Sequence, residues 1–192
     1  MKKEKNIHIH QGKSTRDILD PGQVLLNVGI KPGDVFLDAG CGDGFISLEA
    51  ASLVGDNGMV YAVDIYDKSL ESLEKEIQNK KLINIHLMLA DITCKLPLDD
   101  NSVDIYFMAN VFHGLVANNE VKNTMKESLR ILKPGGMLAI VDFKKLKDTP
   151  GPPLGVRLEP EEIVETLLSY QLQKPKIINT GPYHYLVLAS SR

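Results

Sequence analysis

Val35-Phe36-Leu37-Asp38-Ala39-Gly40-Cys41-Gly42-Asp43-Gly44-Phe45-Ile46-Ser47 is the stretch on which the reading of this 192-residue chain turns. An apolar run rich in β-formers stops at Asp38, three alternate glycines follow, and apolar residues then recur at helical spacing from Phe45. The pattern predicts a strand, a glycine loop and a helix start. Glycines lacking Cβ let backbone approach a bound molecule, and free N–H groups at the start of a helix favour an anionic group such as a carboxylate. The loop is expected to seat a ligand.

Spacing narrows the ligand. A dinucleotide fingerprint, G-x-G-x-x-G, would need its third glycine at position 45, which is Phe. Asp38 through Gly44 instead resembles the first motif of class I S-adenosylmethionine (SAM)-dependent methyltransferases, acidic-x-G-x-G-x-G at the end of the first strand. The resemblance implies SAM as the cofactor, with Asp38, Gly40, Cys41, Gly42 and Gly44 around it.

Moving toward the C-terminus, Met59 to Asp64 is a second buried strand ending on a carboxylate. Asp64 lies 20 residues beyond Gly44, where a Rossmann-like fold places an acid for ribose hydroxyls. Ile65 adjoins it on the cofactor side. A helix from Asp67 or Ser69, with Leu70, Leu73 and Ile77 inward, leads to a third buried strand, Ile83 to Ala90. Asp91-Ile92-Thr93 then resembles the family's adenine-side motif. Val103 to Asn110 reads as the fourth strand, with Asn110 at the cofactor and His113 just beyond it. Leu132 to Phe143 carries the family's Pro-Gly-Gly turn feeding a fifth strand. Thr149 to Gly155 cannot continue a helix or strand and is expected to form an ordered, polyproline-like excursion, a lid in function. A helix opening at Glu159-Pro160 precedes two last strands, Lys176–Asn179 and Tyr183–Ala189, joined by the hairpin Thr180-Gly181-Pro182.

Moving toward the N-terminus, Asp20 and Pro21 start a helix running to Ile30, and residues 1–14 read as an arm. Residues 1–30 are thus expected to cap a single cofactor-binding methyltransferase domain over 31–192. The fold class is α/β: a Rossmann-like, doubly wound sheet of seven strands, mostly parallel with an antiparallel last strand. Its ligand crevice should open between the first and fourth strands, where strand order reverses.

A formal net charge of −3 offers no footprint for nucleic acid, and the run Lys144, Lys145, Lys147 reads as a solvated loop. No apolar stretch approaches the ~18 residues of a membrane span, and no apolar leader follows the basic start. With two cysteines no disulfide scaffold forms, so a cytoplasmic protein acting on a small-molecule acceptor is expected.

The resemblance implies direct, in-line transfer of the cofactor's methyl group to that acceptor. His113 is the candidate general base, with His184 and Tyr183 at the start of the last strand as further acceptor-pocket residues. Alternation sends Tyr183 and Tyr185 to one face and His184 to the other. His8 and His10, two apart on an extended arm, would join His113 and His184 in a metal site, but no fixed ligand motif supports one and no metal is assigned. Two rival readings stand beside methyl transfer: a non-catalytic cofactor-binding module and an NAD-dependent oxidoreductase.

Overall fold

Side chains alternate across a strand, so an apolar run buried in a sheet needs cover on both sides. The computed structural model, which describes residues 14–192, shows that cover. The strands are β1 (Val35–Ala39), β2 (Met59–Asp64), β3 (Ile85–Leu89), β4 (Val103–Ala109), β5 (Leu132–Phe143), β6 (Gln173–Asn179) and β7 (His184–Ser190). They form one sheet in the order β3-β2-β1-β4-β5-β7-β6. Every pairing is parallel except those of β7, which runs antiparallel to both β5 and β6.

Phe36, Val60, Ile105, Phe107, Val141 and Leu186 face a core completed by α1 (Pro21–Val28), α2 (Phe45–Val54) and α3 (Asp67–Lys80). Their strand neighbours Leu37, Tyr106, Met108, Ile140 and Val187 face the other way. There α4 (Phe112–Ala117), α5 (Val121–Ile131) and α6 (Pro160–Ser169) supply Phe112, Met125 and Ile163. Strand order reverses between β1 and β4, as the alternation of elements led us to expect, and the crevice beyond their C-terminal ends is the natural place for a ligand.

Four boundaries differ from expectation, each for a physical reason. The first helix ends at Gly29, whose left-handed φ of 82° stops it before Ile30. The third strand is shorter than Ile83–Ala90 and only partly buried, because it pairs with β2 alone and forms an edge of the sheet. Ile83 is 79% and Leu89 60% exposed, and His86 lies outside the core, stacked 5.9 Å from Tyr61. Pro134-Gly135-Gly136 does not precede the fifth strand but sits within it as a bulge. Pairing with β4 passes from Val103↔Leu132 to Ile105↔Met137 across it, with Gly135 at φ 77°. Finally, β6 begins at Gln173 and β7 at His184, so Tyr183 falls in the connecting turn.

Residues 14–20 form a turn ahead of α1. Arg16 ties it down, its guanidinium 3.6 Å from Asp43 in the glycine loop and 3.2 Å from Glu76 on α3. The rest of the expected arm, including His8 and His10, lies outside the described residues. No helix among the described residues is long and apolar enough to cross a membrane.

Candidate functional site

A cavity of about 800 Å³ opens beyond the C-terminal ends of the central strands. Most of the residues assigned to the cofactor meet there. Asp38, Gly40 and Cys41 line it from β1 and its loop, Asp64 and Ile65 from β2, Asp91 and Ile92 after β3, and Asn110 after β4. Gly42 and Gly44 stand behind this lining and shape it. A Cβ on Gly44 would lie 2.3 Å from Leu73 Cδ2, and one on Gly40 would lie 2.6 Å from Val111 Cγ2. Gly42 has no such neighbour within 4 Å; its need is a φ of 55°.

The loop does not hold out its N–H groups to an anion. Gly40 and Cys41 donate to Val63 O (2.8 and 3.0 Å), Gly44 donates to Cys41 O (2.9 Å), and Gly42 donates to Asp64 Oδ2 (2.8 Å). With its other oxygen Asp64 accepts Tyr66 N–H at 2.8 Å, so the carboxylate is fixed from both sides and keeps lone pairs for a ligand. Asp91 is held by Thr93 N–H at 2.8 Å. Asn110 adopts a left-handed φ of 60° and donates from Nδ2 to Thr15 Oγ1 at 3.2 Å, while its Oδ1 is buried without a partner.

Charge sets the ligand's sign. Asp38 is 1% exposed and accepts Ser47 Oγ–H at 2.6 Å. Burial pushes its carboxyl up to about 7, the Ser47 bond pulls down, and repulsion from Asp64 and Asp43 adds to the rise. Asp17, Asp38, Asp64, Asp91 and Glu120 all line the cavity, and no lysine or arginine among the described residues does. A pyrophosphate would be repelled here; a ligand bearing a sulfonium and an ammonium would not. Burial raises the Cys41 thiol well above its usual range, so it stays protonated and packs as an apolar group.

The other half of the cavity holds His113, Asn118, Phe143 and the run Pro150 to Pro153. His113 is built into place by Asp142, a fully buried carboxylate on β5. Asp142 Oδ1 accepts His113 Nδ1–H at 2.8 Å and Phe143 N–H at 2.8 Å, and Oδ2 accepts His113 N–H at 3.0 Å. Sequence reasoning assigned Asp142 no role. Its signal was present, since β5 ends on a carboxylate as β1 and β2 do. Thr15, Ile18 and Phe143 also line the cavity without having been anticipated.

Tyr183 and His184 do not line it. Because β7 starts at His184, that imidazole lies against its register partner Phe143, ring centroids 4.3 Å apart and 0% exposed. Burial pushes its pKa down to about 4 and keeps it neutral, with both ring nitrogens buried. Tyr183 is half-buried in the turn and offers its carbonyl to Lys144 N–H at 2.8 Å. Tyr185 takes the opposite face from His184, its hydroxyl donating to Leu158 O at 2.9 Å. No group of three or more His, Cys, Asp or Glu suited to a metal occurs among the described residues.

A family model described as a methyltransferase domain matches residues 30–180. A SAM-dependent methyltransferase from Aquifex aeolicus, known from a crystal structure, superposes with a TM-score of 0.84 at 30% identity over 94% of each chain. Curated relatives named ubiquinone/menaquinone biosynthesis C-methyltransferase UbiE are 33% identical over 101 residues in Shewanella sediminis and 35% over 105 in Ectopseudomonas mendocina. Those matches take in 52% and 54% of this chain, but only 39% and 38% of the relatives' own lengths. The cyclase SpnF shares the fold alone, with a TM-score of 0.72 at 16% identity over 89% of this chain and 80% of its own. Likeness of fold does not by itself dictate chemistry.

Proposed function

The chain belongs to the methyltransferase-domain family, and from that premise we propose that it catalyses SAM-dependent methylation of a small-molecule acceptor, with His113 as proton acceptor and Asp142 behind it. The observation that carries this reading is the carboxylate-lined half-cavity joined to a second half that presents a carboxylate-oriented imidazole.

The residues present fit the cofactor. Asp64 has both oxygens fixed and lone pairs left for ribose hydroxyls, and Asp91 with Ile92 stands ready for the adenine. Asn110 Oδ1, buried and unpartnered, calls for a donor from the ligand. Bound there, SAM supplies a methyl group already made electrophilic by its sulfonium, for in-line displacement by the acceptor.

The chain's remaining work concerns the acceptor. The bond from His113 Nδ1–H to Asp142 selects the tautomer whose Nε2 carries the lone pair, and the buried carboxylate stabilises the imidazolium formed when a proton is taken. Phe143 and the proline run give that side an apolar lining. A proton acceptor of this kind serves an oxygen, nitrogen or activated carbon nucleophile, and the names of the UbiE relatives make carbon the first to test. Two unpaired cysteines accord with a cytoplasmic setting.

The test is incubation with methyl-labelled SAM and a panel of phenols, hydroquinones and amines, with labelled product expected for at least one. Absence of calorimetric heat with SAM up to about 1 mM, where binding is worth only about 4 kcal/mol, would remove the reading. A thermal shift with NAD and none with SAM would favour the oxidoreductase instead.

A further inference from the structure

Residues 144–152 leave β5, carry prolines at 150 and 152, and reach the lining of the cavity at Pro150, Gly151 and Pro152. Prolines have no N–H, so this segment cannot satisfy itself by a ladder, yet its carbonyls still need donors. Five of them meet the guanidinium of one side chain. Arg157 Nε donates to Pro152 O at 2.8 Å; Nη1 donates to Lys144 O and Leu146 O, both at 3.1 Å, and to Thr149 Oγ1 at 2.6 Å; Nη2 donates to Thr149 O at 3.1 Å and Pro150 O at 3.0 Å.

Arg157 is only 5% exposed and makes no ion pair among the described residues. A buried cation without a carboxylate is costly unless its protons are taken up, and here six oxygens take them. The same guanidinium stands 5.6 Å from the centroid of Phe143. Gly151 lies flat on that ring, where a Cβ would come within 2.7 Å of two ring carbons. Phe143, Pro150, Gly151 and Pro152 line the cavity beside His113.

We infer that Arg157 is the positioning residue of the acceptor compartment: its guanidinium gathers residues 144–152 into a fixed wall, pressed on Phe143, where the sequence suggested a lid. The identity of the compartment rests on the function proposed above. The latch itself is independent of turnover. A wall held at six points presents one shape to the acceptor and does not open to admit it, so discrimination falls to Phe143 and the prolines. Lysine cannot replace arginine there, having three donors on one nitrogen against five in a planar fork.

Two readouts need no acceptor. Lys145 and Lys147 lie exposed on the outer side of the segment, where trypsin can reach them once the backbone is released. His113 lines the same cavity as Phe143 and Pro150 to Pro152, so its acylation by diethyl pyrocarbonate reports whether release of the wall opens that cavity, with exposed His86 as internal reference. Both are measured on the full chain with S-adenosylhomocysteine present. Relative to wild type, Arg157→Ala is expected to speed cleavage at Lys145 and Lys147 and acylation of His113 at least tenfold, with Arg157→Lys and Thr149→Val in between. S-adenosylhomocysteine affinity should stay within threefold, and His184 should remain unmodified. If Arg157→Ala does not fold, the two milder variants carry the test. Native rates of cleavage and acylation in folded variants would overturn the assignment. So would increases that merely follow loss of S-adenosylhomocysteine binding, since a general stabilising role predicts that pattern. Failure of wild type to bind S-adenosylhomocysteine would instead count against the proposed function while leaving the latch measurable.

Discussion

Asp142→Asn is the most informative single change, because it preserves shape and removes one kind of bonding. The carboxylate accepts three N–H groups with two oxygens: His113 Nδ1 and Phe143 N on Oδ1, His113 N on Oδ2. An amide has one oxygen. Turned one way, its NH₂ group confronts the His113 backbone N–H; turned the other, it confronts Phe143 N–H and forces His113 into the opposite tautomer. Either way a buried N–H loses its acceptor, at about 1–3 kcal/mol, and charge-assisted bonds of about 1.5–3 kcal/mol weaken. We expect a net loss of roughly 3 kcal/mol, which for a domain of this size is a fall in Tm of about 6–12 °C. Thermal unfolding measures it. Methyl transfer should drop more than folding explains, by about 10²–10⁴-fold at a temperature where the variant is fully folded. A Tm within a degree of wild type together with turnover within twofold would falsify the role assigned to Asp142.

Asp64→Ala should weaken SAM binding by about 1.5–3 kcal/mol in calorimetry, and it also frees Gly42 N–H and Tyr66 N–H. Gly44→Ala adds a collision with Leu73 to an unfavourable φ of 72° and is expected to cost more than 2 kcal/mol, against about 1 kcal/mol for Gly42→Ala, where only φ is wrong; equal losses by chemical denaturation would contradict the steric account. Asp38 titrates near 7 in the fold against an ordinary 3.8, so between those values the folded state holds the extra proton. Its contribution to stability is therefore fully present below about pH 4 and is lost as pH rises to 7, on the order of 4 kcal/mol in all. Denaturation of wild type and Asp38→Asn between pH 5 and 8 checks this, and the substituted protein should lack the slope. Tyr185→Phe removes the bond to Leu158 O and should cost about 1 kcal/mol without altering SAM affinity.

The sheet was legible because strands buried on both faces appear as unbroken apolar runs, and the cofactor half of the site because each parallel strand delivers its last residue to the same edge. What stayed hidden depended on pairing. Whether β3 was central or marginal could not be read from Ile83–Ala90, since the same run suits either place. The direction of His184 hinged on where β7 begins, and one residue decides which way a side chain points. Asp142 and His113 are 29 residues apart and meet only because β4 and β5 are neighbours. The role of Arg157 could not be read from the sequence, as five of its six partners are backbone carbonyl oxygens, which every residue has.

The bulge at Pro134-Gly135-Gly136 acquires a meaning at the opposite end of its strand. It sets the register in which Ala109 lies opposite Val141, and so fixes which β5 residue comes level with the end of β4. Removing one of its glycines would let β5 slip by one position and exchange its two faces, carrying Asp142 to the wrong side of the sheet. At about 3.3 Å per residue, the spacing is gauged roughly 20 Å from the imidazole it serves. Insertions and deletions at this surface turn, so often harmless in loops, should here act as active-site mutations, and relatives with a different bulge length would need a different residue to orient the histidine.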